Sequence, residues 1–272
     1  MILKPRLFRK PNLGHPLAKG LVGYWLMNEG AGSIINDLSG NGGIGTIVDT
    51  VNWRAGKTGS ALLFGGGHVS LPSAYRPIDN LSEFSVVTCV KATSLSADGG
   101  IFYTETHTTS DPLLLWFDNA ATDHIASAIN TAGGMSDAVY SSFVPLPNVW
   151  YHLVLTYRAG DYLRLYINGI EDTGADFPVD ASTLTTLDPT DTNYTIGDDD
   201  TGGKALTGYI DFFSLYNRTL SAQQIAQLYR EPYCMFKRDP IELWVGSVGA
   251  GAPPVGAAGI MTPNTGYWGP TF

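Results

Sequence analysis

Cysteine is nearly absent: Cys89 and Cys234 are the only two in 272 residues. That is too few for a disulfide scaffold, and neither lies in the Cys-x-x-Cys or Cys/His spacing that holds zinc. Two unpaired thiols are expected, with Cys89, in the strand-like FSVVTCVKAT, serving as a small buried hydrophobe. Charge is also scarce, at 15% of residues, which argues against long solvated helices. Positive charge is the scarcer sign: 16 Lys and Arg against 25 Asp and Glu give a net charge of −9. Such a body repels phosphate backbones, so nucleic acid is excluded as its partner. No apolar run approaches a membrane span. The basic opening MILKPRLFRKPNLGHPLAKG lacks the apolar stretch of a secretory signal, so folding in the cytoplasm of the producing cell, without membrane insertion, is expected. His15, His68, His107, His124 and His152 are scattered and no Gly-x-Ser-x-Gly elbow occurs, which speaks against Ser/His/Asp catalysis. FGGGH neither opens a helix nor carries a lysine, so it is expected to be a turn and not a phosphate loop.

What the chain does have is glycine, proline and short apolar runs: 32 Gly and 16 Pro, with 44% hydrophobic residues. From residue 17 to 231, strand-like runs alternate with Gly/Asn/Asp/Ser turns at intervals of roughly ten residues, the pattern of a sandwich or jelly roll. WYHLVLTYRAGDYLRLYINGIED shows the unit. Leu153, Leu155 and Tyr157 share one face of an extended chain, and after a turn at Arg158–Asp161 so do Leu163, Leu165 and Ile167. Asn168-Gly169 supplies a second tight turn. One helix is predicted in LSAQQIAQLYREP: Ser221 and Gln224 make a capping box, Ala222, Ile225, Ala226 and Tyr229 share a face, and Pro232 ends it. Residues 1–16 form a basic arm with prolines too dense for a regular helix, and residues 232–272 a Gly/Pro/Ala-rich extension that cannot close a core of its own.

The 17–231 body resembles a laminin-G-like domain of the concanavalin A-like lectin/glucanase superfamily. GLVGYWLMNEGAGSIINDLSGNGGIGTI resembles the family's opening strand and Gly-rich turn, and WRAGKTGSALLFGGGHVSLP its next strand pair. FSVVTCVKATSLSADGGIFYT and the hairpin follow in the family's order, and YTIGDDDTGGKALTGYIDFFSLYNRTLSAQQIAQLY resembles its closing strands and short helix. The resemblance implies an all-β fold: a two-sheet antiparallel β-sandwich, the concanavalin A-like jelly roll, with one short C-terminal helix and extended terminal segments. It does not by itself imply a function, because one fold hosts lectins, adhesion modules, enzymes and structural proteins. The superfamily's glucanases place two Glu with an Asp between them on one strand, and retaining enzymes need carboxylates roughly 5 Å apart. No Glu-x-Asp-x-x-Glu run exists here, and the nearest cluster, Glu171, Asp172 and Asp176, follows a turn. No catalytic residue is therefore expected, and no enzyme.

No cofactor is required by this pattern; structural calcium is the one it admits. Calcium takes six to eight oxygens from carboxylates and carbonyls. Asp198, Asp199 and Asp200 lie in a Gly-rich loop, and the resemblance places Asp211 where related sandwiches hold a metal near the N-terminal strand. Against this, the family's aspartate-rich turn is replaced by Gly65-Gly66-Gly67-His68. A solvated turn is the plain reading of the loop. For glycan contact the candidates are Tyr103, Trp116 and Asn119, although DPLLLWFDN reads equally as a buried strand.

The two extensions suggest assembly. Lys4, Arg6, Phe8 and Arg9 on the arm, and Met235, Phe236, Leu243, Trp244, Tyr267, Trp268 and Phe272 on the tail, suit segments that order against neighbouring subunits. HPLAKGLVGYW and LYREPYCMFKR also resemble laminin-G-like proteins among tailed-bacteriophage structural proteins. The expectation is a non-enzymatic virion protein, assembled in the bacterial host cytoplasm as a homo-oligomer or multicopy array. It would decorate or cement capsid or tail subunits, with its sandwich exposed to host surface glycans. A carbohydrate-binding module is the alternative, and a divergent glycoside hydrolase a third reading.

Overall fold

A computed structural model of the chain describes residues 4–7, 9–104, 111–119, 124–135, 138–174, 176–190, 193–198 and 203–236. A 3-10 turn at Pro16–Ala18 leads into β1 (Leu21–Trp25), β2 (Ile34–Ile35), β3 (Gly45–Ala55), β4 (Ser60–Ser70) and β5 (Glu83–Ala92). The middle of the chain gives β6 (Gly99–Thr104), β7 (Leu113–Asp118), β8 (His124–Thr131), β9 (Gly134–Met135) and β10 (Val139–Tyr140). Then come β11 (Tyr151–Arg158), β12 (Tyr162–Ile167), β13 (Ile170–Glu171), β14 (Val179–Asp180), β15 (Tyr194–Ile196) and β16 (Thr207–Tyr216), and finally α1 (Ala222–Arg230).

The hydrogen-bonded path β10-β8-β7-β6-β15-β4-β16-β5-β11-β12-β13 folds over on itself as a two-layer antiparallel sandwich, as expected. β4 belongs to both layers: Leu62–Gly65 pair with β16, and Val69 and Ser70 with β15. The crossing is made possible by Gly65-Gly66-Gly67. Gly66 has a φ of +109°, and a Cβ on Gly67 would stand 2.3 Å from the Val48 carbonyl, where β3 bulges between Asp49 and Val51. The expected turn at FGGGH is therefore a bend inside a strand, because β3 pairs with β4 on both sides of it.

Between the layers lies the main core, with Leu113, Leu115 and Phe117 from β7 facing Leu153, Leu155 and Tyr157 from β11 and Leu163, Leu165 and Ile167 from β12. Each such aliphatic burial contributes about 1.5–3 kcal/mol. The β11–β12 hairpin presents the predicted faces, with Leu155 opposite Leu165. Asn168 and Gly169 both take positive φ, 52° and 82°, in the turn to β13. Its other face is not solvated: His152, Val154, Thr156 and Tyr166 are buried as well.

The cover is a second core on the outside of that layer, built from α1, the segment leading into β1 and the chain after the helix. Ser221 Oγ accepts from Gln224 N, and Gln224 Oε1 from Ser221 N, closing the predicted capping box. The buried stripe of α1 is Ile225 and Leu228, whereas Ala222 and Tyr229 of the expected face are exposed. Leu17 before β1, and Tyr233, Met235 and Phe236 after α1, complete this core, so the compact unit takes in residues on both sides of 17–231 and runs to Phe236. Residues 237–272 lie outside the described residues. No helix among the described residues is long and apolar enough to cross a membrane.

Candidate functional site

The glycan candidates fall together but under cover. On β6 and β7, Tyr103 pairs with Leu114 and Gly100 with Trp116, so Tyr103 and Trp116 share the face turned away from the core. They pack with Ala126 in a small separate cluster, 1% and 4% exposed. A Cβ on Gly100 would lie 2.4 Å from the Tyr103 ring, Trp116 Nε1 donates to Asp118 Oδ1 at 3.2 Å, and Lys204 Nζ stands 4.9 Å from the Trp116 ring centre. Burial of this kind leaves no ring face open for stacking. Asn119 is exposed, yet it is used in holding its own loop, donating to Ser96 O at 2.9 Å and Asp98 Oδ1 at 3.0 Å.

The acidic residues are committed elsewhere. Glu171 pairs with Arg164 at 2.7 Å, Asp172 accepts from Ser142 N at 2.8 Å, and Asp176 accepts from Tyr140 N at 3.2 Å. Asp198 Oδ1 accepts from Lys204 N at 3.1 Å, and Asp199 and Asp200 lie outside the described residues. Asp211 sits in a β-bulge of β16, between Ile210 and Phe212, which re-aims its side chain outward. There its Oδ1 meets Thr58 N at 3.2 Å and Lys4 Nζ at 3.3 Å, and its Oδ2 accepts from Tyr233 Oη at 3.1 Å. Among the described residues no three His, Cys, Asp or Glu side chains converge on a metal position.

Lys4 therefore does not reach outward from the arm. Its side chain is 4% exposed against an Asp211 that is 1% exposed. Burial pushes the ammonium down from the ordinary lysine range, and the Asp211 carboxylate opposes that shift. Met235 and Phe236 are likewise inside their own fold, Phe236 stacked 5.6 Å from Tyr24. Arg6 and Arg9 are on the surface; Phe8, Leu243, Trp244, Tyr267, Trp268 and Phe272 lie outside the described residues.

One surface was missed by sequence reasoning. Tyr209 on β16 lies directly opposite Lys91 on β5, and Trp150 immediately precedes β11 beside them. The Trp150 and Tyr209 rings are 6.0 Å apart at 60°, both half-buried, with Lys91 Nζ 4.2 Å from the Tyr209 centre and 5.0 Å from that of Trp150. Lys91 makes no ion pair with a described carboxylate. The adjoining loop exposes Phe143, Val144, Leu146 and Val149. It is held by Asn148 N to Ala92 O at 2.7 Å, Leu146 N to Tyr151 Oη at 2.8 Å, and an edge-on contact of Phe143 with Tyr151. Lys91, Trp150 and Tyr209 are far apart in sequence, and the pairing of β5 with both β16 and β11 brings them together.

Comparison with known proteins agrees with this architecture. A laminin G family profile, described as concanavalin A-like lectin/glucanases superfamily, matches residues 64–226. Domain 4 of AbnA, a GH43 extracellular arabinanase from Geobacillus stearothermophilus solved with arabinotriose, is similar over 77% of this chain and 98% of that one, at 21% identity and a TM-score of 0.56. Trypanosoma rangeli sialidase is similar over 81% of this chain but 34% of its own, at 19% identity and a TM-score of 0.58. The binding domain of Paraclostridial Mosquitocidal Protein 1 is similar over 78% of this chain and 52% of that one, at 14% identity and a TM-score of 0.62. At such identities the likeness is one of fold, and the chain spans only about a third of the sialidase. No curated protein matches the sequence. The profile covers more than half of the chain and the sandwich it describes is the fold observed: the chain belongs to the concanavalin A-like lectin/glucanases superfamily.

Proposed function

We propose that the sandwich is a non-enzymatic glycan-binding module whose ligand surface is the Trp150–Tyr209 face. The observation that carries this reading is the pair of half-exposed aromatic rings fixed by paired strands, with Lys91 between them and the rigid 141–149 loop at their edge. One side of a pyranose or furanose ring presents C–H groups that pack on an aromatic face, while its hydroxyls need a few fixed polar groups for orientation. Strand-borne side chains meet that need with little loss of freedom on binding. Glu171, Asp172 and Asp211 are each occupied in holding a loop or a strand, which favours binding over general acid and base work. The arabinotriose complex of the similar arabinanase domain supports sugar as the ligand class.

Affinity electrophoresis of the full chain through gels containing soluble polysaccharides, arabinan among them, tests this. Retardation by at least one polysaccharide is expected, reduced about tenfold or more in Trp150→Ala with unchanged melting temperature. Retardation that survives both Trp150→Ala and Tyr209→Ala would place the ligand elsewhere, and release of reducing sugar from any substrate would end the non-enzymatic reading.

A second reading is that residues 237–272 join the module to capsid or tail subunits in a multicopy virion array built in a bacterial host. It is supported by the Gly/Pro/Ala-rich composition of that stretch and its spaced Leu243, Trp244, Tyr267, Trp268 and Phe272. Loss of particle incorporation on deleting 237–272, with glycan binding intact, is its expected signature.

A further inference from the structure

The arm delivers a single positive charge into an oxygen-lined pocket of the fold. Lys4 Nζ donates to the main-chain oxygen of Ser60 and, at 2.5 Å, to that of Asp211, and stands 3.3 Å from Asp211 Oδ1. Ser60 and Asp211 belong to the paired strands β4 and β16, so these oxygens converge from rigid elements. Glu29 acts on the same ammonium electrostatically, and its Oε2 is buried with no hydrogen-bond donor. Gly56 leaves the space: a Cβ there would fall 2.3 Å from Asp211 Oδ1. Asn28 Nδ2 to Pro5 O at 2.8 Å and Asn12 N to Met235 O at 2.8 Å fix the arm's path on either side.

Carbonyl and carboxylate oxygens are acceptors only, and what they share is an affinity for hard cations. An ammonium meets three of them with its three N–H groups. Its single charge balances the one carboxylate it touches, Asp211. We propose that this pocket is a cation site in which Lys4 stands as a tethered substitute for a divalent metal ion: seated, it makes the sandwich independent of calcium, and removed, it uncovers a calcium site. The arm is then an internal cofactor, and the departure from the calcium pattern expected at Asp211 has a chemical cause. This inference is independent of the glycan reading.

The test compares the full-length chain with its Lys4→Met variant. The wild type is expected to melt at the same temperature in calcium and in chelator, and to give no terbium luminescence sensitised by Tyr233. Lys4→Met should melt lower, recover part of the loss in calcium, and bind terbium, displaceable by calcium, at about 10⁻⁴–10⁻³ M, the range of sites with few protein ligands. Adding Asp211→Asn to that variant should abolish the signal. A wild type destabilised by chelator, a Lys4→Met protein indifferent to calcium and terbium, or a terbium signal that persists without the Asp211 carboxylate would each overturn the proposal. Should Lys4→Met not fold unaided, refolding from urea decides: recovery only with calcium supports the site, and recovery in neither condition overturns it.

Discussion

His152 lies between the Phe212 and Tyr229 rings, 6.1 and 5.8 Å away, with both nitrogens buried and no hydrogen-bond partner for either. Burial, with a smaller contribution from Lys57, pushes its pKa down to about 3. A base whose folded value lies below its unfolded value of about 6.5 binds fewer protons when folded. Its stabilising contribution is therefore full above that unfolded value and is lost as pH falls toward 3. Between pH 7 and 5 the loss should be about 2 kcal/mol. Urea unfolding at the two pH values checks this, and His152→Leu should remove that part of the pH dependence; a variant that loses stability as steeply as wild type would refute the assignment. Cys89, directly opposite His152 on β5, is pushed up to about 12 by burial. The neighbours are thus a thiol and a neutral imidazole, packed rather than reactive.

At the level of elements, local signals were legible where they are satisfied locally. The Ser221–Gln224 capping box and the Asn168-Gly169 turn depend on residues within a few positions of each other, and both form as their sequences require. Ser221→Ala should lower stability by about 1 kcal/mol, read as a lower urea midpoint at unchanged slope; an unchanged midpoint would mean that packing of Ile225 and Leu228 alone sets the helix end. What was not legible was which face of an element meets which neighbour. Tyr103 and Trp116 read as an aromatic pair in sequence, but their cover comes from Lys204 and Ala126 on other segments. FGGGH has turn composition, and becomes a bend within β4 because β3 pairs with β4 on both sides of it.

For the whole molecule, the second core sets where the described fold ends. Tyr233, Met235 and Phe236 are buried within it, so the packed unit runs past α1 to Phe236. A chain ending at Phe236 should keep the cooperative melt and midpoint of the full protein. One ending at Glu231 removes three large buried side chains and should lose on the order of 5 kcal/mol or more; equal midpoints for the two truncations would show that the second core contributes nothing. The sandwich itself followed from the sequence alone, because two-residue alternation and turn chemistry are written residue by residue. Which aromatic rings face solvent, and that Lys4 ends against Asp211, 207 positions away, were decided only by the tertiary structure. Such contacts arise from strand register and the course of the arm over the sheet, and no short window of sequence contains both partners.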